Sequence, residues 1–185
     1  MRYADFYDCD ICNGNQVGMS LFVQGCPFHC EGCFNPETWD FDGGKEWASD
    51  VRKRFMKLVE RDYIKRISFL GGSPLCDENV SDVSEIITYI RANYPDKKIW
   101  VYTGLSWEDI YDESFFLSAS ANATPNNMRN NILQFIDVLV DGSFQCDKRD
   151  ITLPFRGSTN QRIIDVPKSL EAKEVVLWKT DSQLS

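Results

Sequence analysis

No stretch of this 185-residue chain approaches the roughly eighteen consecutive apolar residues that a membrane-crossing helix needs. The N-terminus, Met1-Arg2-Tyr3-Ala4-Asp5-Phe6, has no charged segment followed by an apolar core, so no signal peptide is expected. Basic charge is also scarce: 20 lysines and arginines against 28 acids leave a formal net charge of -8. A non-specific nucleic-acid binder needs a basic face to neutralise phosphates, so that class is excluded, and a protein or small-molecule partner is expected. Internal repeats are lacking. Together these absences predict a cytosolic protein. What the chain does have is 7 cysteines, an odd number. In a reducing compartment, closely spaced thiols are more often metal-binding or catalytic than disulfide-bonded. With 43% hydrophobic and 26% charged residues, the chain has the composition and length to bury one core, and a single domain over 1–185 is predicted.

Three of the cysteines fall within eight residues, Cys26-Pro27-Phe28-His29-Cys30-Glu31-Gly32-Cys33, with Gly25 before them and Phe34-Asn35-Pro36-Glu37-Thr38-Trp39 after. Glycine and proline supply bends that a helix or strand would forbid, so the three thiolates can converge on one metal centre. A closed structural site normally takes four protein ligands. Three on a short loop suggest a centre with one coordination position left for something else.

Hydrophobic patterning places this loop. Val17 to Gln24 reads as a buried strand that delivers the cysteines at its C-terminal end, where parallel α/β proteins bind ligands. Helical spacing follows over Glu46 to Arg61, a strand over Lys65 to Leu70 ending in Gly71-Gly72-Ser73-Pro74, and a helix over Asn79 to Tyr94. A strand at Lys98 to Thr103 precedes a short helix opened by Ser106-Trp107-Glu108-Asp109. Ser118 to Asn131, rich in Ser, Ala and Asn, predicts a polar surface loop or insertion. Ile132 to Phe135 is expected to be helical, Ile136 to Val140 a strand, and Gln145 to Asn160 irregular. Two late strands are predicted around Arg162 to Val166 and Glu174 to Trp178. Alternating strands and helices make a mostly parallel, curved α/β sheet, incomplete and open because a closed eight-fold barrel usually needs roughly 250 residues.

Two readings of the cysteines stay open on spacing alone. Cys9-x2-Cys12 and Cys30-x2-Cys33 fit a four-cysteine zinc ribbon, a binding module without catalysis, although that leaves Cys26 unexplained. Alternatively, Cys26, Cys30 and Cys33 hold a four-iron four-sulfur cluster. The latter is where the sequence resembles a known family: Cys-x3-Cys-x2-Cys followed by an aromatic is the signature of radical S-adenosylmethionine (SAM) enzymes. The resemblance extends over Gly18 to Trp39, Ile99-Trp100-Val101-Tyr102-Thr103-Gly104, Asp137-Val138-Leu139-Val140-Asp141-Gly142, and Leu153-Pro154-Phe155-Arg156-Gly157-Ser158 with Asn160 to Asp165. Taken in order along most of the chain, these segments resemble the activating proteins of the anaerobic, class III ribonucleotide reductases.

The resemblance implies an open radical SAM-type (β/α) barrel with a [4Fe-4S] cluster on Cys26, Cys30 and Cys33. It implies SAM bound near Gly32, Cys33, Phe34, Gly72 and Ser73, with no catalytic residue beyond the cluster and SAM. In such enzymes reductive cleavage of SAM gives a 5′-deoxyadenosyl radical, which here would install a glycyl radical on the anaerobic ribonucleoside-triphosphate reductase. The electron would come from a flavodoxin-type donor, and a homodimer is left open. An activase of another glycyl-radical enzyme, or a small-molecule radical SAM enzyme, would share the cofactors. One departure stands out: such enzymes usually carry Gly-Gly followed by Glu or Asp, where this chain has Gly71-Gly72-Ser73. Serine accepts a hydrogen bond from the SAM ammonium group without adding charge, and the carbonyls of Gly71 and Gly72 offer another contact. Asp141 and Arg156 are further candidates for SAM or partner contacts. His29 is expected to support the site rather than ligate. Cys76 and Cys146 read as ordinary small side chains.

Overall fold

The computed structural model describes residues 1–117 and 123–179. Seven strands form one sheet: β1 (Arg2–Asp10), β2 (Gly18–Val23), β3 (Lys45–Glu46), β4 (Arg66–Gly71), β5 (Lys98–Tyr102), β6 (Val138–Asp141) and β7 (Arg162–Asp165). Their order is β3-β1-β2-β4-β5-β6-β7, with β3 and β7 at opposite ends, so the sheet is open. The central strands β2, β4, β5 and β6 are all parallel, while β1, β3 and β7 add antiparallel strands at the two edges. The helices are α1 (Ser49–Val59), α2 (Val80–Asn93), α3 (Trp107–Ile110), α4 (Glu113–Leu117), α5 (Pro125–Leu133) and α6 (Val166–Ala172).

One strand was not foreseen, and two expectations are corrected. The first residues form β1, a full nine-residue strand. Its register slips between Tyr3 and Asp5 and again between Tyr7 and Asp10, so its buried residues do not alternate and the strand is hidden from a period-2 reading. The described part of the expected loop at 118–131 is also different. Residues 118–122 lie outside the described residues, but Pro125–Leu133 is helical, started by Thr124 accepting a hydrogen bond from the Asn127 N–H at 3.3 Å with proline in the first turn. Finally, the stretch from Glu174 to Trp178 forms no strand; a single bridge joins Leu177 to Ile164.

Side chains alternate across the parallel strands. One face carries Met19, Leu21, Ile67, Phe69, Ile99, Val101, Leu139 and Ile164, which join Val83, Ile87, Ile90 and Ile132 from the helices in one buried apolar core. The other, inner face carries Ser20, Arg66, Ser68, Trp100, Tyr102, Val138 and Val140. Its apolar part is a smaller cluster of Trp100, Val138, Val140 and Ile163, with Tyr102, Phe155 and Trp178 packed on it.

Arg66 is wholly buried on that inner face. Its guanidinium donates to the backbone carbonyls of Asn13 at 2.6 Å, Asn15 at 3.1 Å and Asp10 at 2.9 Å, and pairs with the Asp10 carboxylate at 3.1 Å. Ser20 donates to the same carboxylate, and Arg66 also reaches the Ser68 hydroxyl. Burial pushes the Asp10 carboxyl up, but hydrogen bonds from Ser20 and the Cys12 N–H, with the Arg66 charge, outweigh it and hold it below its ordinary value. This network fixes the loop between β1 and β2 against the inner face.

Candidate metal centre

The cysteine loop is tied down at both ends. Gly25 and Cys26 donate backbone hydrogen bonds to the carbonyls of Thr38 at 2.8 Å and Trp39 at 3.1 Å. Buried Gln24 uses its amide nitrogen on the carbonyls of Glu37 at 3.0 Å and Asp40 at 2.7 Å. A second clamp comes from the loop after β4. The Ser73 N–H donates to the Gly25 carbonyl at 2.8 Å. The buried Asn79 amide reaches the carbonyls of Gln24 at 2.9 Å, Gly25 at 3.3 Å and Ser73 at 3.1 Å. Gly72 makes this approach feasible, because a Cβ there would sit 2.3 Å from the Gly25 carbonyl oxygen.

The loop borders a cavity of about 680 Å³ lined by Cys26, Cys30, Cys33, Phe34 and Gly72, among others. Phe28, Gly71, Thr103, Phe144, Arg156 and Gln161 contribute further walls, and Phe22, Leu70, Tyr102 and Phe155 line it from the inner face of the sheet or beside it. The structure therefore brings together seven of the residues singled out in the sequence: Cys26, Cys30, Cys33, Phe34, Gly71, Gly72 and Arg156. Gly32 and Ser73 do not line the cavity. Gly32 has φ 71, and a side chain there would meet the Cys146 sulfur at 3.1 Å, so glycine is required for the turn between Cys30 and Cys33. Ser73 is buried, and its hydroxyl has no hydrogen-bond partner.

The donor set fits an iron–sulfur cluster better than a single ion. Among the described residues, no three His, Cys, Asp or Glu side chains converge closely enough to hold one metal ion. A lone zinc requires its thiolates in one shell about 2.3 Å from the metal, whereas in a [4Fe-4S] cluster each thiolate binds its own iron. Cys26, Cys30 and Cys33 border one cavity, as ligands to separate irons of one cluster must. Burial pushes the thiols of Cys26 and Cys30 up; N–H groups of Phe28 and His29 at Cys26, and of Phe144 at Cys30, oppose it. The Asn35 N–H also donates to the Cys33 sulfur at 3.4 Å. Left to themselves, the Cys26 and Cys30 thiols stay protonated. A metal taken up here would release their protons, and the N–H donors would then face thiolates.

A family model for a 4Fe-4S single cluster domain matches residues 12–164. A protein of Enterobacteria phage T4 is 31% identical over 163 residues, covering 88% of this chain and 93% of its own length. One from Escherichia coli (strain K12) is 35% identical over 163 residues, covering 87% and 96%. A third, from Pasteurella multocida (strain Pm70), is 32% identical over 165 residues, covering 88% and 96%. All three are named anaerobic ribonucleoside-triphosphate reductase-activating protein. The chain belongs to this family.

The span matched by the 4Fe-4S model begins at Cys12, after β1, and ends within β7. In this activating-protein chain the remaining candidates separate clearly. Cys9 and Cys12 are exposed, and only Cys12 of the two reaches the cavity, so the four cysteines of the zinc-ribbon spacing do not all border it. Cys76 is buried, and burial pushes its thiol up to about 12. His29 stacks on Trp39 with ring centres 4.9 Å apart. Asp141 lies outside the cavity lining: its carboxylate accepts from the Trp107 N–H at 2.7 Å and from Arg162 at 3.0 Å. Sequence reasoning missed three participants. Asn79 reads as a helix cap but clamps the loop. Tyr102 reads as strand filler but lines the cavity. Cys146 reads as incidental but abuts Gly32 from 114 positions away, 32 to 146, a proximity that no local pattern encodes.

Proposed function

We propose that this protein activates an anaerobic ribonucleotide reductase by installing a glycyl radical on it, using a [4Fe-4S] cluster held by Cys26, Cys30 and Cys33 together with SAM. The observation that carries this reading is the meeting of those thiols in one cavity at the C-terminal ends of β2 and β4, in a chain whose relatives carry the activating-protein name. Bound there, the cluster and SAM would supply reductive cleavage of a sulfonium bond and a 5′-deoxyadenosyl radical that takes a hydrogen atom from a glycine α-carbon.

The chain's own residues bind, orient and exclude water. The Cys26, Cys30 and Cys33 thiolates are the anchors, and the N–H groups of Phe28, His29, Asn35 and Phe144 soften their negative charge. Gly71 and Gly72 line the cavity beside the cysteine loop, and their carbonyls would take the SAM ammonium group. Ser73, buried behind them, holds that wall to Gly25 through its N–H. Phe34 packs edge-on against Phe144 with centres 5.3 Å apart, under the guanidinium of Arg149 at 5.1 Å; it would flank the adenine. Gly32 sets the turn that aims Cys30 and Cys33. The cavity mouth carries Tyr7, Phe34 and Ile151, exposed by 52%, 55% and 82%, an apolar rim suited to a loop of the reductase. The electron would arrive from a flavodoxin-type donor.

Anaerobic reconstitution with iron and sulfide tests the reading. The expected result is about four irons per chain, visible charge-transfer absorption and SAM-dependent 5′-deoxyadenosine. A glycyl-radical doublet in electron paramagnetic resonance should follow once the reductase is added. Cys30→Ala should lose all of these, while Cys12→Ala keeps them. A cluster retained in Cys30→Ala, or zinc without iron in protein purified free of oxygen, overturns it.

A further inference from the structure

Among the described residues, two buried hydrogen-bonding groups that line the cavity have no partner: the Tyr102 hydroxyl and the Arg156 Nε. The groups differ in charge and setting. Arg156 is a cation whose other nitrogen already donates to the Gln161 carbonyl at 2.7 Å. Tyr102 ends β5 on the inner face, where its neighbours in the lining are Phe22, Leu70 and Phe155. Arg66 and Asp10 lie near enough to act on it electrostatically, but they are paired with each other at 3.1 Å. Burial pushes the phenol up from its ordinary value, so it stays a neutral O–H donor.

An enclosed donor without an acceptor costs stability, which makes such an atom a mark of ligand contact. A charged acceptor would be desolvated among the aromatic and aliphatic walls around Tyr102, and it has the Arg156 guanidinium to go to instead. A neutral amide carbonyl suits Tyr102. Resting on the activating function proposed above, the substrate that enters this cavity is a glycine-bearing segment of another protein. Such a segment presents backbone carbonyls and, at the reacting residue, no side chain to keep it from the floor. We infer that the Tyr102 hydroxyl is a positioning group for the substrate loop, donating a hydrogen bond to a backbone carbonyl beside the glycine that loses its hydrogen atom.

Tyr102→Phe removes only the hydroxyl, and with it no hydrogen bond inside the protein. The test compares reconstituted parent and variant with the complete anaerobic reductase, recording glycyl-radical spins per 5′-deoxyadenosine formed and the reductase concentration at half-saturation. Iron content and melting temperature are measured alongside. The expected result is a spin yield per SAM cleaved about three- to tenfold lower, the size of one lost hydrogen bond, a higher half-saturating reductase concentration, and parent-like iron content and melting temperature. Equal spin yield and half-saturation in the two proteins overturn the inference. So does a variant that loses iron, melts several degrees lower or binds SAM more weakly, because the hydroxyl then serves the fold or the cofactor. If the parent forms no 5′-deoxyadenosine or no glycyl radical, the activating reading itself fails and takes this inference with it.

Discussion

The two faces of the central sheet are made by the same strands and have opposite characters. Met19, Ile67 and Ile99 sit side by side in register, as do Leu21, Phe69 and Val101; all are buried in the helix-covered core. Shifted by one residue, Ser20, Ser68 and Trp100 are also in register. That second set is buried too, but it faces Arg66, Asp10 and the cavity floor. Burial is therefore nearly equal on the two faces, and chemistry is not. The helix-covered face is stabilised by area removed from water, which tolerates small changes of shape. The inner face owes part of its stability to the hydrogen-bonded network around Arg66 and Asp10, which fails abruptly when one partner is removed.

Arg66→Met should show the largest effect. It leaves the Asp10 carboxylate buried and unpaired, a loss of about 3–5 kcal/mol, read by equilibrium urea unfolding; a loss under about 1 kcal/mol would erase the contrast between the faces. Leu139→Ala, on the helix-covered face, should cost about 3 kcal/mol through its cavity. Iron bound per folded molecule should stay at the parent level, and a fall in iron would mean that the core face also shapes the metal site. Asn79→Leu should cost about 2 kcal/mol by stranding the carbonyls it now serves. At equal stability, its iron content after anaerobic reconstitution should fall well below that of Leu139→Ala.

The smallest effect concerns pH. The folded Asp10 carboxyl is held below its ordinary value, so its pairing contributes in full above the unfolded value near 3.9 and is lost as pH falls through the lower folded value. The stability gap between the parent and Asp10→Asn should be widest near neutral pH and narrow below about pH 4. A constant gap would assign the effect to shape rather than charge.

Much of the helix-covered face was legible in the sequence, because Met19 to Val23, Ile67 to Leu70 and Ile99 to Tyr102 are short apolar runs bounded by turns. The cysteine loop was legible for a similar reason: its spacing is local, and Gly25, Pro27 and Gly32 announce the bends. What escaped depends on distant partners. The buried residues of β1 keep no alternation because its bulges shift them. The helix at Pro125–Leu133 hides in an Asn-rich stretch with weak helix propensity; it is held by Arg129 donating to the Leu75 carbonyl at 2.6 Å. The Asn79 clamp and the Tyr102 hydroxyl are single polar atoms whose meaning lies in what stands opposite them. Ser73, marked by its departure from the usual acid, proved to be buried backing for the loop, and the open donor was found on the neighbouring strand.

The Asn79 clamp also imposes an order in time. Asn79 follows Cys33 by 46 positions, 33 to 79, so at synthesis rates of about 5–20 residues per second it is made roughly 2–9 s later. During that interval the three thiols belong to a loop whose second wall has not yet been translated. The final spacing of the thiols thus waits on a side chain that lies well outside the cysteine loop.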